Sequence, residues 1–419
     1  MRRFLSFALV SSLLLGLCSC AKLSPSPYAA LSSSAPKVNH RDFTQKMAST
    51  CRATWTHGNH IETLVNGAEY FPAMLEAIES AEQTITFETF VAINAQVTYE
   101  LVMALKAKAE QGVKVHFVVD GIGSRKLPDW YLDTLRDAGA EVHIYRPLRP
   151  HNFWRCNNRD HRKVMVIDGK LGFTGGAGYA DVWDGDCEHH WRWRDTMYRL
   201  EGPIVAHIQH AFNDNWEELT GRRLSGAEYF PKPEKAGSMQ AIGVLGAPQE
   251  QGDTLGASYL LAIDAAKHSI LIGHAYFLPN KTLRDALFRA RKRGVEIDII
   301  LPNETIDSKM IRLTSKTYWR EMLDAGMRIY EFDSGMLHGK LIVVDDSLSI
   351  IGSGNFDDRT FFINDEFNVN VLSKRFAAEQ RAMFEDDLKK SKPMSWSDAK
   401  VPLYDKPQQW LGRLIEPQL

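Results

Sequence analysis

The sequence has little that could cross a membrane. Its N-terminal apolar stretch, Phe4 to Leu17, is fourteen residues broken by Ser and Gly, short of the roughly 20 a spanning helix needs. It also lacks a strong charge of either sign. A net charge of -2 gives no global basic field, which argues against a dedicated nucleic-acid binder while leaving room for a local basic groove. Cysteines are few. Beyond Cys18 and Cys20 only Cys51, Cys156 and Cys187 remain, enough in an oxidising space for one disulfide and one free thiol. Cys156 and Cys187 could pair, but spacing does not decide it. Metal-ligand spacing is missing too. Cys187-Glu-His189-His190 has no second Cys/His pair to complete a site, so it reads as a polar loop and no metal is expected.

What is present begins with a targeting segment. Met1-Arg2-Arg3 is basic, the apolar stretch follows, and Leu17-Cys18-Ser19-Cys20 closes it. This resembles the bacterial lipoprotein box, with residues 1–20 as signal peptide and Cys20 as the lipidated first residue. A plain secretory signal is the alternative. Residues 21–50 read as a linker, Ser/Pro/Ala-rich over 21–40. The implied location is extracytoplasmic, on the periplasmic side, anchored to a membrane.

The chain carries one chemical pattern twice. His161-Arg-Lys163-x4-Asp168 and His338-Gly-Lys340-x4-Asp345 both read His-x-Lys-x4-Asp, and each is followed by a small pair, Gly175-Gly176 and Gly352-Ser353. A duplicated His/Lys set can handle one phosphate from two sides. One His attacks phosphorus, the other protonates the leaving oxygen, and two Lys neutralise the free oxygens.

The motifs end a longer repeat. Leu101-x3-Leu105-x6-Gly112 before Val115–Val119 matches Leu283-x3-Leu287-x6-Gly294 before Ile297–Leu301; Asp137-Ala-Gly139 matches Asp324-Ala-Gly326. Each half reads strand–helix–strand–helix–strand, then the motif, which predicts an α/β fold with mixed sheets. The halves differ between Gly139 and His161, where Arg146, Arg149, His151, Trp154 and Arg155 could form a basic, aromatic lid or a plain surface loop. Pro231–Gly237 is a breaker cluster, giving halves at 51–232 and 233–390.

Each motif reads as a β-hairpin turning at its Asp. Residues i and i+2 of a strand share a face, so each His points with its Lys. Asp168 and Asp345 complete the motif sets, but at the turn they are expected to orient structure rather than attack phosphorus. The N–H groups of the small pairs could donate to phosphate. A nucleophilic His needs its other ring nitrogen held by an acceptor. Asp195, 34 residues after His161, and Glu366, 28 after His338, are the nominated acids, each for the His it follows.

With these flanks in view the chain resembles the phospholipase D superfamily, and within it the bacterial cardiolipin synthase branch. The likeness covers roughly residues 58–390, and includes Val119-Asp-Gly-Ile-Gly-Ser124, Asn158-Arg-Asp-His161, Ala275-Tyr-Phe-Leu-Pro279 and Ile351-Gly-Ser-Gly-Asn355. It implies a bilobal fold with both motifs at a pseudo-two-fold interface, a phosphohistidine intermediate, and no cofactor. Asn355 looks like the family's phosphate-contacting Asn. Gly178 stands where many relatives have Asn. The implied reaction joins two phosphatidylglycerols into cardiolipin plus glycerol at a membrane surface, with no nucleic acid involved. By analogy His161 is the nucleophile and His338 the acid and then base, the swap remaining open. The alternatives are a phospholipase D-type hydrolase, a secreted nuclease of the same superfamily, or a silent anchored binding protein. In the tail, 391–419, Trp396, Leu403, Tyr404, Trp410, Leu411, Leu414 and Ile415 suit either a membrane interface or packing on the core.

Overall fold

The computed structural model describes residues 36–38, 40–148, 157–248 and 252–419. Cys20, the signal segment, most of the linker, Arg149, His151, Trp154, Arg155 and Cys156 lie outside the described residues.

Among the described residues the two halves build one fifteen-stranded mixed sheet. In the first half the order, from the outer edge inward, is Glu141–Tyr145, Lys114–Asp120, Thr84–Thr89, Lys163–Ile167, Leu171–Gly175, Thr196–Glu201 and Thr56–Val65. In the second, inside an extra edge strand at Ser391–Pro393, it is Arg328–Phe332, Glu296–Pro302, Ser269–His274, Lys340–Val344, Leu348–Gly352, Glu366–Leu372 and Met239–Gly246. The orders correspond strand for strand. The innermost strands join antiparallel, Thr56 opposite Ala241, and this seam is the pseudo-two-fold. The first three strands of each order run parallel, and each motif hairpin lies antiparallel beside them. Helices cover both faces, so strands such as Thr84–Thr89 and Lys340–Val344 are buried along their whole length.

Each half has its own core under its crossover helices. A third core lies on the other face and belongs to both. There Phe212 and Trp216 of the Val205–Thr220 helix share a cluster with Phe376 and Phe384 of the Lys374–Lys389 helix and with Tyr198 and Val369 from the strands. That shared layer holds the halves in one register, as a site split between them requires.

Two terminal segments settle differently from a simple tether. The linker expectation ends too late: Arg41–Cys51 is a helix, with Phe43, Met47 and Cys51 buried against the Thr254–Ala265 helix of the second half. Its apolar residues fall at i, i+4 and i+8, a stripe too narrow to stand out in a polar stretch. In the tail, Ser391–Pro393 adds an edge strand beside Arg328–Phe332, and the Lys406–Leu414 helix packs on Lys309–Asp324. Trp396, Leu403, Tyr404, Trp410 and Leu414 stay exposed. No described helix is long and apolar enough to cross a membrane.

Candidate active site

The hairpins turn where expected. Asp168 and Gly169 have φ of 51° and 64°, Asp345 and Asp346 50° and 49°, the left-handed pair that matches strand twist. The motif aspartates act on the backbone. Asp168 accepts from the N–H groups of Glu82, Gln83 and Thr84 at 2.7–2.9 Å. Asp345 accepts from Lys267, His268 and Ser269 at 2.7–3.1 Å. Each ties its turn to the start of a neighbouring strand, at the far end of the hairpin from the histidine, so neither is a catalytic group. Asp345→Ala should therefore cost about 1–3 kcal/mol of stability by stranding part-buried donors. A thermal melt should show the loss while the rate constant of the folded fraction stays near wild type; a specific kinetic defect would return Asp345 to the chemistry.

At the other end the halves exchange acids. His161 Nδ1 donates to Glu366 Oε1 at 2.8 Å, and His338 Nδ1 to Asp195 Oδ2 at 2.6 Å. This corrects the expected same-half pairing. The backbone is the cause. An isolated parallel bridge joins Asp160 to Asp365, and the His161 N–H donates to the Asp365 carbonyl at 2.9 Å. Likewise Trp193–Arg194 runs parallel to Met336–Leu337, and the His338 N–H donates to the Arg194 carbonyl at 2.7 Å. Each histidine is thus stitched beside the residue that precedes the other half's acid.

The small pairs serve the acids, not phosphate. The N–H of Gly176 donates to Thr196 O and that of Ser353 to Phe367 O, so neither is free for substrate. A Cβ on Gly176 would lie 2.2 Å from Asp195 Oδ1; only glycine lets the acid in. Ser353 instead donates its hydroxyl to Glu366 Oε2 at 2.5 Å. Gly175 and Gly352 press on the partner strand, and a Cβ on Gly352 (φ 141°) would sit 2.4 Å from Phe367 O. Gly178 is packed against the Trp183 ring, which fills the space an Asn would need. The Trp183 indole N–H donates to Asp195 Oδ2 at 2.9 Å, and Trp183 and Trp193 both flank the His338 ring. Phe90 flanks His161.

Both histidines, Lys163 and Asn355 line one cavity of about 280 Å³ between the halves. Lys163 Nζ donates to the His161 carbonyl at 2.7 Å, and Lys340 Nζ to the His338 carbonyl at 2.5 Å. The Asn355 Oδ1 is buried without a partner among the described residues. Sequence reasoning had not weighted Arg159 and Arg359 or the Tyr276–Asp307 pair, which also line the cavity. Arg159 stood in the quoted Asn158-Arg-Asp-His161 flank; Arg359 follows Asn355 by four residues, a spacing that means nothing without the cavity. Cys187 is buried and forms no disulfide among the described residues.

The electrostatics are unequal on the two sides. Burial, with Lys163 and Lys340, holds His161 well below the usual imidazole range. Burial and Lys340 bring His338 down to about 4. Burial pulls Lys163 down to about 7 and lowers Lys340. Burial pushes Glu366 up to about 7. Burial would raise Asp195 too, but His338 and Lys340 outweigh it and hold this carboxyl below its ordinary range. Asp195 is therefore a firm anion beside His338, while Glu366 is a weaker one beside His161. Two imidazoles in unlike settings across one cavity can divide acid and nucleophile between them.

Comparison with known proteins agrees with this geometry. The family described as "Cardiolipin synthase, PLD-like domain" matches residues 74–216 and 259–388. The minor cardiolipin synthase ClsB of Bacillus subtilis (strain 168) is 35% identical over 357 residues, 85% of this chain and 88% of that protein. The major cardiolipin synthase ClsA of the same organism is 31% identical over 386 residues, 91% and 80%. The crystal structure of phosphatidylserine synthase from Haemophilus influenzae Rd KW20 shares the fold, with a TM-score of 0.68 at 14% identity, covering 90% of this chain and all of that one. The chain belongs to the cardiolipin synthase family of phospholipase D-like proteins.

Proposed function

We propose that the protein is a phosphatidyltransferase that makes cardiolipin and glycerol from two phosphatidylglycerols. The observation that carries this reading is the pair of histidines facing one cavity, each held at Nδ1 by an acid from the opposite half. With Nδ1 engaged, Nε2 is the nitrogen offered to substrate, at His338 with Lys340 Nζ 3.3 Å away. His161, beside the weaker anion Glu366, is the neutral nucleophile. His338, held low by burial and Lys340, gains its proton when the anionic phosphate stands beside it, and Asp195 stabilises the imidazolium that then acts as the acid.

In the first step the P–Nε2 bond forms on His161 and the P–O bond to glycerol breaks, with the His338 proton going to the leaving oxygen. In the second, a hydroxyl of the next phosphatidylglycerol gives its proton to His338 and forms the new P–O bond as P–Nε2 breaks. Lys163, Lys340 and the Asn355 amide meet the charge on phosphorus oxygens. Apolar walls from Val91, Ile122, Trp183 and Ile311 suit a lipid and help keep water from the intermediate.

The lipid surface is reached in two ways on this reading: through an acylated Cys20 on the extracytoplasmic side, and through the exposed Trp396, Leu403, Tyr404, Trp410 and Leu414 of the tail, whose last residues Ile415 and Leu419 line the cavity. One assay tests both parts. Labelled phosphatidylglycerol, in vesicles and in detergent, should give cardiolipin with wild type. Cys20→Ser should lose most of its vesicle activity and keep its detergent activity. Phosphatidic acid as the sole product would make the protein a hydrolase. A Cys20→Ser protein that still holds to vesicles after a salt wash would remove the lipid anchor from the account.

A further inference from the structure

The cavity is lined by two arginines that the chemistry proposed above does not use, Arg159 and Arg359. Arg359 enters it from the short helix Asp358–Phe362. Its guanidinium meets only neutral oxygens: Nη1 donates to Asn157 Oδ1 at 3.2 Å and to the Gln418 carbonyl at 3.1 Å, Nη2 to the Asn157 carbonyl at 2.7 Å. Among the described residues it has no carboxylate at ion-pair distance. Arg159 stands near it. The Arg159 Nε donates to the Asn158 carbonyl at 2.8 Å and lies 3.5 Å from Asp120 Oδ2, and Nη2 donates to the Arg146 carbonyl at 2.9 Å. Its Nη1 is buried with no partner among the described residues. Asp120 is already engaged, accepting N–H groups of Ile122, Gly123 and Asp160.

Asp357, Asp120 and Glu366 act on Arg359 from beyond ion-pair distance, but two neighbouring buried guanidiniums, one with an unpartnered N–H and the other bonded only to neutral oxygens, remain costly unless an anion joins them. On the function proposed above, the reacting phosphate is met by the lysines, Asn355 and the histidines, so the anion that the guanidiniums draw is a second one. Arg359 is nonetheless close to the chemistry: it helps hold down the His161 pKa, and its neighbour Thr360 donates to Glu366 Oε1 at 3.3 Å. The site therefore lies beside the reacting phosphate on the His161 side.

We infer that Arg159 and Arg359 form a second anion subsite that takes the phosphodiester of the acceptor lipid. This rests on the function proposed above. An acceptor phosphatidylglycerol carries its own phosphodiester one glycerol unit from the hydroxyl that attacks. Gripping that phosphate with guanidiniums, which suit it in fork geometry, delivers the hydroxyl to the intermediate on His161. Water and free glycerol carry no anion and gain nothing from the subsite. The guanidinium pair thus selects a lipid acceptor and turns a phosphodiesterase scaffold toward transfer.

The test gives detergent-dispersed phosphatidylglycerol together with labelled free glycerol and reads two products in one reaction. Cardiolipin needs the lipid acceptor. Labelled phosphatidylglycerol arises by headgroup exchange, which uses the donor phosphate and both histidines but an acceptor without charge. Arg359→Gln should lower cardiolipin formation about 30-fold or more relative to exchange, through a raised KM for the acceptor. Arg359→Lys, which keeps the charge and loses the fork, should fall between. Equal loss of both products in Arg359→Gln and Arg359→Lys would place Arg359 at the donor phosphate or in the fold and overturn the subsite. An unchanged product ratio in Arg359→Gln would overturn it as well. A wild type that exchanges glycerol but makes no cardiolipin would overturn the proposed function, and the subsite with it.

Discussion

His161→Ala and His338→Ala should each lower cardiolipin formation by about 10³-fold or more, and for different reasons. The difference becomes visible with a phosphatidyl ester of p-nitrophenol. Its leaving group departs as a stable anion and needs no proton, so the acid is dispensable in the first step. His338→Ala should then release one equivalent of nitrophenol per enzyme and stall, with the phosphatidyl group trapped on His161, because no base remains to activate the acceptor. His161→Ala should give no burst and no adduct. The opposite pattern would make His338 the nucleophile. Near-normal turnover in either variant would sink the two-histidine site altogether.

The exchange of acids between halves makes the second large prediction. Asp195 holds His338 and Glu366 holds His161, so Asp195→Asn should behave like His338→Ala. It should keep the nitrophenol burst and slow the second step, by about 10²-fold or more. Glu366→Gln should instead slow the burst itself. Same-half pairing predicts the reverse assignment, so the two variants decide between them. The pH dependence gives a further handle. Burial places Glu366 at about 7. Below that pH it is protonated and no longer accepts the His161 Nδ1 hydrogen as an anion, so the burst rate should fall as pH drops through about 7. Glu366→Gln, slow throughout, should show no such limb. A limb of unchanged position in Glu366→Gln would assign the titration to another group.

The duplication made much of this legible in the chain. Hairpins at Asp168 and Asp345, strands at Thr84–Thr89 and Ser269–His274, and the histidine–lysine sets all follow from local pattern: period-two apolar runs, turn residues with left-handed backbone, and a repeat that places them at equal points. The chemistry of Asp195 and Glu366 as orienting acids was legible for the same reason. The Arg41–Cys51 helix was not, because three apolar side chains in eleven residues carry no signal until a partner surface buries them.

By itself the sequence determined the two halves, their alternating elements and the residue types able to move a phosphoryl group, since each is written within a few turns or strands of chain. Only the tertiary structure decided which residues serve one another. The acids reach histidines 205 and 143 positions away because short parallel pairings cross the seam between the halves, and no spacing along the chain encodes a pairing across a symmetry axis. The same holds for Arg159 and Arg359, ordinary surface-type residues in sequence. Folding brings them to one cavity, where Arg359 meets only neutral oxygens within hydrogen-bond reach and Arg159 Nη1 has no partner among the described residues, and burial favours an anion beside them.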